Sequence, residues 1–217
     1  MGVIVFGCGS HARVILQILL ESGKYSVSGV ISNRLKPGEL VGGVPVLGTD
    51  KEFFEGKIAC HKGIIGLGDN GTRKKLAEEI ISHSPGFEFI NSIHPHSSIC
   101  STAKIGIGTV VCAGSVIGAH SIVGNHCIIN TSASVDHDNV IGNYASVMPG
   151  ATTGGNVKIG DLSAICLGAS VIHEITIGTN TVVGAGSVVV RDIKPNVLAM
   201  GVPATERSKR EVGDKFL

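Results

Sequence analysis

Between residues 93 and 189 one aliphatic side chain recurs at every sixth position. The series runs Ile93, Ile99, Ile105, Val111, Ile117, Val123, Ile129, Val135, Ile141, Val147, Thr153, Ile159, Ile165, Val171, Ile177, Val183 and Val189, with Thr153 the single departure and no slip of register. Four residues after most of them stands a small side chain, as at Ala103, Thr109, Ser115, Ser121, Ala133, Ala145, Ala151, Ser163 and Ala169. Gly often follows the aliphatic position directly, as at Gly106, Gly118, Gly124, Gly142, Gly154, Gly160, Gly178 and Gly184. This period is neither that of an amphipathic helix nor that of an ordinary half-buried strand. It describes a β-solenoid whose unit is one short strand and a corner, with Gly expected to make the corners. A generic Val/Ile-rich β protein would instead drift in register between irregular turn clusters.

Composition follows from that architecture. Ile and Val supply 50 of the 217 residues and Gly 31, against no Trp, two Tyr and six Phe. Branched side chains of this kind fit a pleated surface. Charge then locates the boundaries: residues 1–92 carry ten basic and nine acidic side chains, residues 93–190 only two and four, and residues 191–217 six and four. The expected organisation is an amino-terminal domain (1–92), a solenoid (93–190) and a tail (191–217) in which Arg191, Lys194, Lys209 and Arg210 are solvated or meet phosphates. With Lys+Arg 18 against Asp+Glu 17, no basic excess exists to neutralise a nucleic acid, which is excluded as a main partner. No apolar run approaches the roughly 18 to 20 residues of a membrane span. The sequence begins directly on strand-like Val3–Phe6, so a cytoplasmic protein is expected. The six cysteines lack a C-x-x-C pair and read as reduced thiols packed as small core residues.

The amino-terminal region reads as a small Rossmann-like βαβ unit. A strand at Val3–Phe6 leads through Gly7-Cys-Gly-Ser-His-Ala12 into an apolar-periodic helix ended near Gly23, with Ser10 able to cap it. Strands follow at Tyr25–Ile31 and Gly63–Leu67, then a helix from Thr72 to His83. Gly7-x-Gly9-x-x-Ala12 is the arrangement in which backbone N–H groups and a helix start receive a pyrophosphate, or else simply a tight turn. A dinucleotide would call for an acidic residue at the end of the second strand, where Ser32 and Asn33 stand instead. A nucleotide-sugar diphosphate suits so short a domain better than NAD. Gly66-Leu-Gly-Asp-Asn-Gly-Thr-Arg73 belongs to the same sheet edge, so that Gly68, Asp69, Asn70 and Arg73 are candidates for the cleft, with helix capping an equal alternative for Asp69 or Asn70.

Asn130-Thr-Ser-Ala-Ser-Val-Asp-His-Asp138 is the most polar stretch of the repeat. It sets His137 between Asp136 and Asp138, which a solenoid face does not require. A neighbouring carboxylate favours the imidazolium formed when His accepts a proton and can fix the tautomer.

On these residues the chain resembles the hexapeptide-repeat acyltransferases. Within them it is similar to the bacterial nucleotide-amino-sugar N-acetyltransferases of the perosamine and bacillosamine type, a group overlapping the NeuD-type sialic acid O-acetyltransferases. A Gly-rich βαβ unit ahead of the repeats, Asn-Thr-x-x-x-Val-Asp-His-Asp, and Gly201-Val-Pro-Ala204 carry the resemblance, which extends from Val3 to Ala204. It implies a left-handed parallel β-helix of triangular section, with eighteen residues per coil and five to six coils. Ala119 and Gly155 would then stack on His137, and Gly118 and Gly154 on Asp136, leaving room for substrates. The resemblance further implies His137 as general base assisted by Asp138. It assigns the diphosphate to Gly7, Gly9, Ser10 and His11, and the base or ribose to Ser32 and Asn33, where some relatives carry acidic residues. Acetyl-CoA is the implied donor, along Asn130, Ser146, Gly155, Leu167, Gly168, Gly184, Ala185 and Gly186 between subunits of a homotrimer, with no metal. O-acetylation of a sialic acid is the alternative. A zinc enzyme of the γ-carbonic anhydrase type is remote, because His94 and His96, His120 and His126, and His137 and His173 lack its ligand spacing.

Overall fold

The computed structural model describes residues 2–211, 213 and 214. Val3–Phe6 (β1) is buried along its whole length, as befits a central strand covered on both faces. Helix α1 (Ser10–Ser22) buries Ala12, Ile15, Leu16, Ile18 and Leu19 and ends where Gly23 takes a left-handed conformation, its N–H donating to Leu20 O. There follow β2 (Val27–Ile31), β3 (Leu40–Val41), β4 (Val44–Gly48), α2 (Asp50–Phe54), β5 (Lys62–Ile65), α3 (Asn70–His83) and β6 (Glu88–Phe89). The sheet order is β3-β4-β2-β1-β5-β6, parallel except for the β3–β4 pair. The β3–β4 hairpin was not expected. Its turn is Gly42-Gly43, both at positive φ, a sequence suited to such a two-residue turn.

From Ser92 onward two-residue strands recur every six residues, from β7 (Ser92–Ile93) to β23 (Val188–Val189). Every third strand pairs in parallel with a shift of eighteen residues, as in Val111↔Ile129 and Ile129↔Val147. The result is three sheets enclosing a prism. Its core is the predicted aliphatic series, with Val111, Ile117, Ile129, Val147, Ile165 and Val183 at most 1% exposed. Thr153 keeps its place in the series, 5% exposed.

The corners are built differently from expectation. From Ile105 to Val183 the left-handed residue falls three positions after each member of the series, and in nine of these fourteen corners it is not Gly. It is His120, His126, Ser132, Asp138, Tyr144, Asn156, Leu162, Glu174 and Asn180, with Gly108, Gly114, Gly150, Gly168 and Gly186 completing the series. The glycines directly after the aliphatics serve close stacking instead. A Cβ on Gly118 would come within 2.7 Å of the backbone at Asp136 and His137, and one on Gly154 within 2.7 Å of His173 N.

The carboxyl-terminal stretch is folded rather than a loose tail. β24 (Val197–Gly201) joins the sheet beside the solenoid strand Val182–Val183, and β25 (Ala204–Lys209) returns antiparallel to it. At the other end, Val110 and Cys112 of the solenoid pack in one cluster with Ile15, Leu16 and Leu19 of α1, which fixes the α/β domain against the prism.

Candidate active site

A cleft of about 550 Å³ opens at the carboxyl edge of the parallel sheet, lined by Gly7, Gly9, Ser10, His11, Ser32, Asn33 and Gly68 among the predicted residues. Its backbone is shaped for an anion. Gly7 has φ +108° and would press a Cβ to 3.0 Å from Leu67, whereas around Gly9 there is open space. Gly9, not Ser10, occupies the N-cap, and no side chain caps α1. The first N–H groups of the helix are thereby left for a ligand. Ser32 is spent locally: its hydroxyl accepts from Arg34 N at 3.1 Å and Leu35 N at 3.3 Å. His11 lines the cleft, but its Nε2 is sealed from solvent with no partner among the described residues. Burial, aided by the Arg73 charge, lowers its pKa to about 4, so it contributes a neutral ring rather than a cation at neutral pH. Arg34, Asp50, Lys75 and Glu79 also line it; the sequence reading missed them because they come from a turn, the unexpected α2 and α3.

Three residues predicted for this cleft do other work. Asp69 caps α3, accepting from Thr72 N at 2.8 Å. Asn70 is 2% exposed and donates to Leu162 O and Ser163 O of the solenoid. Arg73 is 1% exposed. Its Nε–H donates to His126 O at 2.8 Å, Nη1 to Leu67 O and Gly68 O, and Nη2 to Asn70 Oδ1 and Tyr144 O. Burial lowers the guanidinium to about 10, still charged at neutral pH. Ser146, expected at the cofactor, is drawn into the same cluster, donating to Asn70 Oδ1 at 2.7 Å. Asn70, Arg73 and Ser146 join the domains, Asp69 caps the helix, and none of the four lines the cleft.

His137 occupies another edge of the prism, in the corner whose left-handed residue is Asp138. This conformation, φ 57°, suits Asp better than most residues, and it turns the carboxylate back onto its neighbour. His137 Nδ1 lies 2.8 Å from Asp138 Oδ2, while the His137 backbone N–H donates to Asp136 Oδ1 at 2.7 Å. The hydrogen bond to Asp138 raises the His137 pKa, and the Asp136 charge adds to it. With Nδ1–H donating to Asp138, Nε2 carries the lone pair. The ring lies on Gly155, where a Cβ would stand 2.4 Å from Cε1 and 2.5 Å from Nε2. The absence of a Cβ at Gly155 therefore makes room for the imidazole.

Residues 2–80 match the family described as the PglD N-terminal domain. The UDP-N-acetylbacillosamine N-acetyltransferase of Bacillus subtilis (strain 168) is 35% identical over 121 residues, and the match spans about half of that protein, 51%, and 51% of this chain. Perosamine N-acetyltransferase from Caulobacter crescentus, solved with CoA and GDP-perosamine, superimposes with a TM-score of 0.89 at 37% identity, covering 96% of this chain and 98% of that one. The chain belongs to the nucleotide-amino-sugar N-acetyltransferases. The acetyltransferase domain of PglB from Neisseria gonorrhoeae, 31% identical with a TM-score of 0.88 over 94% of this chain and 98% of that one, is a further relative. The fold is accordingly the Rossmann-like unit and left-handed β-helix of this acetyltransferase family.

The acetyl-donor residues implied by the family resemblance divide by position. Leu167, Gly168, Ala185 and Gly186 are exposed on the third edge of the prism, and a Cβ on Gly168 or Gly186 would meet nothing within 4 Å. Gly184 does not belong to that edge, being covered by Met200 of the terminal hairpin, 2.9 Å from the site of a Cβ. Asn130 is half-buried, its side-chain carbonyl accepting from Thr131 N at 2.8 Å.

Proposed function

We propose that the chain is an acetyl-CoA-dependent N-acetyltransferase acting on a nucleotide-linked amino sugar of the 4-amino-4,6-dideoxy type, by direct transfer with His137 as general base. The observation that carries this reading is the His137–Asp138 pair, an imidazole whose Nε2 has no protein partner among the described residues, on the β-helix of this family. Relatives support the substrates: the Caulobacter enzyme is solved with GDP-perosamine and CoA, and the Neisseria domain with acetyl coenzyme A.

His137 Nε2 takes the proton that the sugar amine loses as it adds to the thioester carbonyl. The C–N bond forms, the C–S bond breaks, and CoA leaves as the thiolate, with a backbone N–H holding the oxyanion. Asp138 stabilises the imidazolium. The α/β domain docks on the edge formed by His126, Tyr144 and Leu162, whereas His137 stands on the edge of Asp138 and Asn156. In a homotrimer the cleft of one subunit can then serve the base of another, and the exposed Val116, Ile122 and Val140 supply apolar surface for such an assembly.

A thiol-release assay with acetyl-CoA tests this against a panel of nucleotide-linked 4-amino sugars and free sialic acid. One nucleotide sugar should react with high kcat/KM and yield an amide. Ester formation on sialic acid alone would replace the reading with O-acetylation.

A further inference from the structure

Besides the Gly7–Ser10 loop, the cleft is lined by the paired side chains of Asn33 and Asp50. Asn33 Nδ2 donates to Asp50 Oδ2 at 2.6 Å, and Asp50 N–H returns a bond to Asn33 Oδ1 at 3.0 Å. This reciprocal lock fixes the carboxylate at the first residue of α2. Asp50 Oδ1 receives no donor among the described residues. Glu79 of α3 lines the same cleft, 4.0 Å from Lys75 Nζ, and Leu76 offers apolar surface on which a flat ring can lie. Burial pushes the Asp50 carboxyl up, the hydrogen bond from Asn33 opposes this, and the Glu79 charge adds to the rise. The acidic group that the end of β2 lacks is thus supplied from α2 through Asn33.

With a diphosphate at the start of α1, the nucleoside extends along the sheet edge toward the Asn33–Asp50 pair. Ionised carboxylates only accept. Guanine alone among the common bases offers two adjacent donors, N1–H and the 2-amino group, which match a carboxylate fork in a charge-assisted pair. Uracil and thymine flank their single N3–H with carbonyls and would set oxygen against oxygen. We propose that Asp50, held by Asn33, reads the Watson–Crick edge of guanine, so that the substrate is a guanosine diphosphate-linked amino sugar. This rests on the reading of the cleft as the nucleotide-sugar site.

Calorimetric titration of the full chain with GDP, IDP, 2′-deoxy-GDP and UDP, for the wild type and Asp50→Asn, tests it. GDP should bind about tenfold or more tighter than IDP, which lacks the 2-amino group, and than UDP. The 2′-deoxy compound should stay within about threefold of GDP, because an edge-on base contact does not involve the 2′-hydroxyl. Asp50→Asn, with an unchanged circular dichroism spectrum, should erase the preference for GDP while leaving UDP binding intact. Equal affinity for GDP and UDP would overturn the assignment yet leave the cleft a nucleotide site. Loss confined to 2′-deoxy-GDP would mean that Asp50 holds the ribose, and failure of all four to bind would remove the cleft reading itself.

Discussion

At the scale of single residues, catalysis in this account depends on where one proton sits. His137 works as a base only when Nε2 is unprotonated, and the hydrogen bond to Asp138 together with the Asp136 charge raises the pKa. Activity should therefore fall as pH drops through a midpoint above the ordinary histidine value of about 6.5. Asp138→Asn removes the acceptor charge, so the acidic limb of the kcat/KM profile should move to lower pH while the maximal rate declines. An unmoved limb would assign that titration to another group. The His137–Asp138 contact was legible in the sequence because a histidine between two aspartates is unusual in a repeat with six charged residues. The close seat on Gly155 was only half legible: the eighteen-residue stacking puts residue 155 beside the ring, but stacking alone cannot say whether ring or ligand fills the space.

At the scale of the element, the six-residue unit combines a packing rule visible in sequence with a backbone rule that is not. The inward aliphatic recurs because each strand contributes one side chain to a narrow core. The left-handed corner residue, by contrast, can be His, Ser, Tyr, Leu or Glu, since stacked neighbours impose its conformation over local preference. A left-handed conformation costs a non-Gly residue about 1 to 2 kcal/mol, partly offset against Gly by chain entropy. Exposed Glu174, at φ 62°, makes no side-chain hydrogen bond among the described residues. Glu174→Gly should stabilise the protein by about 0.5 to 1 kcal/mol in urea unfolding, and a destabilised variant would contradict the strain. The terminal hairpin escaped the sequence reading for a related reason. Its charged residues resemble a solvated tail, yet β25 is an edge strand exposed at five of its six residues and held by backbone pairing to β24.

At the scale of the whole molecule, a single buried guanidinium joins two domains that the sequence separates by composition. Arg73 binds the cleft loop through Leu67 O and Gly68 O, and two successive coils through His126 O and Tyr144 O. Arg73→Met would leave these carbonyls buried without donors, a loss of about 3 to 5 kcal/mol in unfolding free energy. A change below about 1 kcal/mol in urea titration would show that apolar packing of α1 on the prism suffices. Sequence reasoning sent Arg73 and Asn70 to the ligand because a basic and an amide residue after a strand suit phosphate. Their partners in the solenoid lie 53 to 93 positions away, a distance over which one sequence carries no pairing signal. The Gly-rich loop was legible because its requirement is local backbone geometry. The central claim, direct transfer by His137, is tested most directly by thiol release from acetyl-CoA with the best nucleotide-sugar acceptor, comparing wild type with His137→Ala. A folded variant should lose about 10² to 10⁴ in kcat with acceptor KM nearly unchanged, and a kcat near that of the wild type would contradict the account.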